Sequence, residues 1–214
     1  VFAPVVGFLI GGIITVVYYI LKRFFPSGVT SVLLIVAYIM LTGGIHLDGL
    51  GDTFDGIFSN RSRERILEIM RDSRIGTNAM LAVVCVIILN YALLNSIPAS
   101  FVPHAILLFP VAGRIGSLIG AGSSDYAREG EGLGKSFINC CGVKEILQGG
   151  AIYFLIFLLV LGLKGLLLAF LTFVTAFITV KFFSKKVGGA TGDILGAVCE
   201  LNQTFFLLLI YLIS

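Results

Sequence analysis

Residues 29–56 read VTSVLLIVAYIMLTGGIHLDGLGDTFDG, a stretch in which an uncharged apolar run passes directly into a segment that carries three aspartates. The apolar part, residues 29–45, approaches the roughly 20 residues that a helix needs to cross the hydrocarbon core of a bilayer. The stretch therefore predicts a membrane-spanning helix that ends in carboxylates at the membrane surface.

The same apolar pattern recurs along the whole chain. Of the 214 residues, 57% are hydrophobic and 13% are charged, and the mean hydropathy of +1.04 lies far outside the range of soluble domains. Helices are expected because a backbone in lipid must satisfy its own hydrogen bonds and because no strand-like alternation is present. We predict an all-α, polytopic integral membrane helix bundle, a single transmembrane domain over residues 1–214 with about seven spans. The predicted spans are 5–21, 29–45, 79–97, 101–122, 149–163, 166–183 and 194–213.

Polar segments interrupt these spans and hold nearly all the acidic residues: 46–78, 123–148 and 184–193. Most basic residues lie in or beside these segments, and few lie in the opposite connections, so the positive-inside rule predicts that the polar segments face the cytoplasm. The net charge of +3 is too small to indicate a nucleic-acid partner. The four cysteines lack the paired spacing of a zinc site.

The aspartates of the opening stretch form the clearest chemical pattern. Asp48, Asp52 and Asp55 are separated by four and then three residues, so they share one face of a helix. Three carboxylates in this register repel one another unless a cation lies among them, and Mg²⁺ is the natural candidate. The alternative is a solvated acidic helix end at the membrane surface. The neighbouring glycines weaken a helix and permit close approach of the backbone to a bulky ligand, and His46 would orient a carboxylate, contact phosphate or lie at the interface.

Residues 60–77 have the 3.6-residue period of an amphipathic helix that would lie along the membrane surface. Glu64 and Glu68 have arginines at helical spacing, which favours a structural role for them. Asp72 and Arg74 stand near the predicted helix end, a position suited to phosphate binding.

The stretch DYAREGEGLGKSF, residues 125–137, is not a Walker phosphate loop, because Glu129 stands where the leading glycine is required. It predicts a flexible loop whose Arg128 and Lys135 are available to an anionic substrate. Arg114 lies inside a predicted span, where a guanidinium is costly and indicates a polar, functional interior.

The last span begins GGATGDILGAVCE at residues 188–200. Thr191 is a candidate helix cap, and Asp193 in the first turn would be stabilised by the helix dipole. Glu200 lies seven residues further along the same face. At that depth no dipole favours its charge, so Glu200 indicates a functional site.

Together, several of these stretches resemble the prokaryotic cobalamin synthase family, adenosylcobinamide-GDP ribazoletransferase. The motifs that carry the resemblance, in this order, are GGIHLDGLGDTFDG, LEIMRDSRIGT, YAREGEGLGKSF and GGATGDILGA. The resemblance implies a Mg²⁺-dependent phosphoryl transfer that joins adenosylcobinamide-GDP to α-ribazole or its 5′-phosphate, gives adenosylcobalamin or its phosphate, and releases GMP. It also implies a multi-pass protein of the prokaryotic inner membrane whose active site faces the cytoplasm. Family members carry an additional N-terminal segment, so we expect this chain to lack its native beginning.

The candidate site residues divide into two groups by the role we expect. Asp48, Asp52 and Asp55 would be catalytic, and with Asp193 they would bind Mg²⁺, one of them doubling as the base. Substrate binding would involve a further set: His46, Asp72, Arg74, Arg114, Arg128, Lys135 and Glu200.

Two other functions compete with this reading. A CDP-alcohol phosphotransferase also uses aspartates at three- and four-residue spacing, but this chain lacks the full continuation of that signature. A cation transporter would use intramembrane carboxylates, whereas the polar residues here cluster at one membrane face. Membrane lipid is an expected partner in every case, and the sequence leaves open whether the chain forms a homo-oligomer.

Overall fold

The computed structural model describes residues 1–129 and 133–214, and these ranges form α-helices joined by short connections. The helices are α1 (Ala3–Leu21), α2 (Ser27–Thr42), α3 (Ile45–Ile57), α4 (Arg63–Ile69), α5 (Thr77–Ser96), α6 (Val102–Ser123), α7 (Leu133–Asn139), α8 (Val143–Val187) and α9 (Gly192–Ile213). The only extended pairing among the described residues is an isolated bridge between Tyr126 and Ala190. The all-α prediction is confirmed.

Five of the helices, α1, α5, α6, α8 and α9, are long and apolar enough to cross a membrane. Helices α2 and α3 meet the same criterion only as a pair, and they are bent by 90° at their junction, which brings the count to at most six. The predicted number of about seven spans is therefore approximate. The two numbers differ because α8 is counted as one helix where the sequence predicted two spans.

Helix α8 reverses its direction at Gly162, whose backbone has φ 60° and ψ −142°. The hydroxyl of Tyr153 contacts Thr172 and lies 3.4 Å from the carbonyl oxygen of Ala169. In a straight helix, residues 16 positions apart would be separated by about 24 Å. Helix α8 thus consists of two antiparallel arms, which correspond to the predicted spans 149–163 and 166–183.

Helices α6 and α9 form the centre of the bundle, and most of their residues are buried. Helix α1 packs directly on α6 because it has glycines at the crossing. A Cβ atom on Gly7 would lie 2.6 Å from the Pro110 carbonyl oxygen, and one on Gly11 would collide with the backbone of Leu107. Small residues that let backbones approach are the usual means of packing helices in lipid.

The amphipathic helix predicted over 60–77 is shorter in the structure. Helix α4 ends at Ile69, and the backbone N–H of Arg74 donates to the Asp72 carboxylate in a local turn that replaces helical hydrogen bonds. Met70 is buried beneath α3, where a Cβ atom on Gly56 would collide with it. Protein therefore covers the apolar face of α4.

The three polar segments meet at one end of the bundle. Arg63, from the first segment, donates to the carbonyl oxygens of Ala127 at 3.2 Å and Val187 at 2.6 Å. At the opposite end, Lys164 in the reversal of α8 lies over the ring of Phe101, with 5.9 Å to the ring centroid. The chain thus gathers its charged connections on one side and its short connections on the other.

Candidate active site

The break between α2 and α3 turns the acidic stretch across the polar end of the bundle. Gly43 and Gly44 have φ values of 65° and 69°, a left-handed conformation that glycine adopts without steric cost. The two residues end α2 and start α3 in a new direction. Without them, the carboxylates of α3 would continue along the axis of α2, away from the start of α9.

The glycines within α3 let the helix pack closely against its neighbours. The sequence had suggested instead that they let the backbone approach a ligand. A Cβ atom on Gly49 would lie 2.8 Å from the carbonyl oxygen of Asp193. One turn further along α9, a Cβ atom on Gly196 would lie 3.1 Å from the Cα of His46. The backbones of α3 and α9 therefore touch, and this contact offsets the low helix propensity of glycine.

The crossing brings carboxylates from two helices together. Burial, followed by the negative charges of Asp193 and Asp48, raises the pKa of Asp52 to about 7. Asp52 lies on α3, outside the five spanning helices, and burial raises its pKa more than the neighbouring carboxylates do. The charged neighbours of Asp52 thus include the other three predicted metal ligands, Asp193, Asp48 and Asp55.

Arg128 is a basic residue bonded to this cluster. Its guanidinium forms an ion pair with Asp193 and donates to the carbonyl oxygen of Met70 at 3.3 Å, while its Nε is buried without a partner in the described part of the chain. Thr191 caps α9 as predicted, accepting a hydrogen bond of 3.2 Å from the Ile194 N–H. Arg128 therefore already binds a carboxylate of the site.

Asp55 has a structural function that the sequence did not reveal. Its carboxylate oxygens accept hydrogen bonds from the backbone N–H groups of Gly76 at 2.6 Å and Ala79 at 2.9 Å. These groups belong to the start of α5, which has no side-chain cap of its own. A carboxylate at this position satisfies unpaired donors and complements the helix dipole, so Asp55 fixes α5 against α3.

The aspartate donors fit a hard divalent cation that keeps part of its own hydration. The only group of three potential ligand atoms within 4.8 Å of one another, among the residues described, is His46, Cys199 and Glu200. The aspartates do not form so tight a group. Mg²⁺ is typically held by one or two carboxylates together with waters and substrate phosphates, and a looser set of carboxylates suits this mode of binding.

A cavity of about 1170 Å³ opens beside the cluster. Its polar part contains Arg71, Arg128 and Asp193, and its apolar wall is the start of α1 together with Phe137 of α7. His46 and Arg114 also line the cavity. Ligand sites for drug-sized molecules usually measure about 300–1,000 Å³, so this cavity suits a larger ligand with a charged and an apolar part.

Arg114, which lines the cavity, and Glu200 behind it belong to a buried hydrogen-bond network. The hydroxyl of Tyr38 accepts hydrogen bonds of 2.9 Å from both Arg114 and Gln203, and it donates to Glu200 at 3.2 Å. Arg114 also lies 3.7 Å from the sulfur of Cys199. The network is the polar interior that Arg114 predicted, with one guanidinium and one carboxylate.

Sequence reasoning did not identify Tyr38, Cys199 or Gln203. Gln203 stands three residues after Glu200 and four after Cys199 on α9, so these side chains share a face. The sequence signal for Gln203 was its position one helical turn from Glu200 within a predicted span. Nothing near Tyr38 in the sequence distinguishes it from the other tyrosines.

Asp72 and Arg74 lie apart from the residues that line the cavity. They bond to each other at the surface, and hydrogen bonds from Arg74 lower the pKa of Asp72 to about 2. Lys135 lies on α7 beside Gly134, which borders the cavity and abuts Gly192. Residues 130–132 of the predicted glycine-rich loop lie outside the described residues.

Comparison with known proteins gives a consistent result. The model of the cobalamin-5-phosphate synthase family matches residues 1–211. An adenosylcobinamide-GDP ribazoletransferase of Acetivibrio thermocellus is 81% identical over 212 residues, 99% of this chain and 86% of the relative. Proteins of the same name are 58% identical in Clostridium acetobutylicum (97% of this chain, 82% of the relative) and 43% identical in Caldanaerobacter subterraneus (94% and 81%). No solved structure matches the chain.

Proposed function

The chain belongs to the cobalamin-5-phosphate synthase family, and we propose that it is an adenosylcobinamide-GDP ribazoletransferase with its active site at the α3–α9 crossing. The substrates would be adenosylcobinamide-GDP and α-ribazole or its 5′-phosphate. The product would be adenosylcobalamin or its phosphate, and GMP would be released.

The observation that carries this proposal is the meeting of Asp48, Asp52 and Asp193 with Arg128 beside the large cavity. Transfer between two phosphate esters needs negative charge to be neutralised and the reacting groups to be positioned. The basic groups at this end of the cavity, Arg71 and Arg128, would contact the diphosphate.

In the reaction, a hydroxyl oxygen of ribazole attacks the phosphorus on the cobinamide side of the diphosphate. A new phosphate ester bond forms, the bond between the two phosphates breaks, and GMP leaves with the bonding electrons. The hydroxyl proton passes to an aspartate carboxylate of the cluster. A base in hydrogen-bond reach of an attacking hydroxyl typically contributes about 10²–10⁴-fold to the rate.

Mg²⁺ would be held by Asp48, Asp52 and Asp193, with Asp55 beside them keeping α3 and α5 in place. When bound, the ion would neutralise the diphosphate and the charge that develops on the leaving phosphate. The chain's own contribution is to fix these carboxylates through the glycine contact of α3 with α9.

The test is purified protein incubated with adenosylcobinamide-GDP, ribazole phosphate and Mg²⁺, with GMP as the readout. A chelator should stop GMP release without changing the unfolding transition, because the metal serves the substrate and not the core. Full turnover in excess chelator would refute the metal assignment. Turnover of a CDP-alcohol in place of adenosylcobinamide-GDP, or ion flux in liposomes without GMP release, would refute the proposed activity.

We also propose that the α3–α9 end faces the cytoplasm across the inner membrane. The support is the excess of basic residues in the segments that meet there. Cysteines introduced at the exposed positions Ser62 and Lys186, after Cys85 and Cys140 are replaced, should be labelled from the cytoplasmic side. A cysteine at Lys164 should be labelled only from the opposite side, and the reverse pattern would overturn the orientation.

A further inference from the structure

His46 lies on the wall of the cavity. Only one of its two ring nitrogens has polar contacts with the described residues. Nδ1 is 3.5 Å from the sulfur of Cys199 and 3.9 Å from the Oε1 atom of Glu200. Nε2 has no hydrogen bond to any residue in 1–129 or 133–214. The side chain is 22% exposed, so Nε2 is the ring nitrogen available to a ligand in the cavity.

An imidazole held in this way resembles a metal ligand. Histidines that bind metals usually donate the other ring N–H to a protein acceptor, which fixes the tautomer and makes the free nitrogen a better ligand. With Cys199 or Glu200 accepting from Nδ1, the lone pair on Nε2 faces away from the buried network. The metal would therefore lie on the cavity side of His46.

A resident divalent cation among His46, Cys199 and Glu200 is disfavoured by their surroundings. The guanidinium of Arg114 lies 3.7 Å from the sulfur of Cys199, and the Oε1 atom of Glu200 already accepts from Tyr38. A cation between these atoms would face a positive charge and would displace both contacts. The ligand that suits His46 is one that brings its metal into the cavity.

We propose that Nε2 of His46 binds the cobalt of the corrinoid substrate at the axial position opposite the adenosyl group. This inference rests on the proposed function, because cobinamide is a cobalt corrin that has not yet received its nucleotide base. Nε2 donates its lone pair to the cobalt and a water ligand leaves, so the step involves no change of oxidation state.

The position of His46 agrees with a substrate held at two points. The contacts of Gly49 with Asp193 and of Gly196 with His46 place His46 one helical turn, about 5 Å along the helix axis, from the acidic cluster. A single substrate that carries cobalt at one end and a diphosphate at the other would meet His46 and the aspartates together. Fixing both ends positions the reacting phosphorus.

The experiment is electron paramagnetic resonance of cob(II)inamide bound to the purified full chain. A nitrogen on the axial position splits the cobalt lines, and ¹⁵N in place of ¹⁴N changes the pattern of that splitting. The chain has only two histidines, His46 and His104, and His104 lies near the start of α6, outside the residues that line the cavity. His104→Ala therefore leaves His46 as the only histidine and is the matched control.

We expect nitrogen splitting in the wild-type chain and in His104→Ala, and we expect it to change when His104→Ala is made with ¹⁵N-histidine. His46→Ala and His46→Gln should lose it. The histidine-labelled His104→Ala protein decides the question even if the His46 variants do not fold. Bound cob(II)inamide without splitting, or splitting insensitive to the label, would overturn the inference, as would failure of cob(II)inamide to bind. GMP release measured on the same preparation shows separately whether the proposed function holds.

Discussion

The acidic cluster at the end of the bundle and the hydrogen-bond network behind the cavity both contain carboxylates and a guanidinium group. They differ in the ratio of these groups. In the cluster, Asp193 forms an ion pair with the guanidinium of Arg128, and Asp48 and Asp52 add further carboxylates. In the network, one carboxylate and one guanidinium meet through the hydroxyl of Tyr38, and Gln203 adds a further donor. Among the residues described, the contacts of the cluster join more carboxylates than guanidinium groups, and those of the network join one of each.

The difference follows from solvent access. A buried charge without a partner is strongly unfavourable, so the network within the spans has to be neutral and hydrogen-bonded. The cluster borders an open cavity, where excess charge is tolerated and is available to a cation or a proton. We therefore assign chemistry to the cluster and positioning to the network, and the following variants test that division from the largest effect to the smallest.

Glu200→Gln should have the largest effect, and the effect should be on stability. Removal of the carboxylate leaves the buried guanidinium of Arg114 without a counter-charge, which typically costs about 3–5 kcal/mol. Unfolding of the detergent-solubilised protein measures the loss. Adding Arg114→Met to the same chain should recover part of it, and a double variant no more stable than Glu200→Gln would contradict a neutral network.

Asp52→Asn should act on the reaction and not on the fold. Loss of one catalytic electrostatic group or base lowers turnover by at least about 10²-fold, and the rate of GMP release measures it. Glu64→Gln is the control, because Glu64 is an exposed acid on α4. Near-normal turnover of Asp52→Asn together with an inactive Glu64→Gln would show that the acidic face of α4, and not that of α3, carries the chemistry.

Gly49→Ala tests whether backbone contact holds the two carboxylate helices together. The new methyl group would lie 2.8 Å from the carbonyl oxygen of Asp193, which is backbone and cannot turn aside. Overpacking of this kind costs about 1–3 kcal/mol, and the cluster should lose activity as α3 moves from α9. Gly12→Ala, where the methyl group meets no atom within 4 Å, should be at least as stable as the wild type and should match it in GMP release.

Arg74→Gln should have the smallest effect. The side chain is exposed and bonds only Asp72 among the described residues, so the unfolding transition should not move measurably. A rise in KM for adenosylcobinamide-GDP without a change in stability would support the phosphate-binding role predicted from the sequence. An unchanged KM would restrict the site to the residues that line the cavity.

The sequence predicted the spans well because burial in lipid demands long apolar runs, and such runs are local. It did not predict that Asp55 caps α5, because its partners, Gly76 and Ala79, lie 21 and 24 residues away. The role of Gly49 was missed for the same reason: a glycine suits a ligand or another helix equally well until the partner is known. The register of the aspartates predicted the cluster, but only the crossing of α3 with α9 shows that Asp193 completes it.

The glycine crossings have a consequence for how the cavity receives a ligand. Gly7 on α1, Gly49 on α3, and Gly134 on α7 each bring their helix into backbone contact with a neighbour. Backbone contacts have no rotamers to rearrange, so these walls of the cavity are preorganised. Binding therefore costs the protein little conformational entropy.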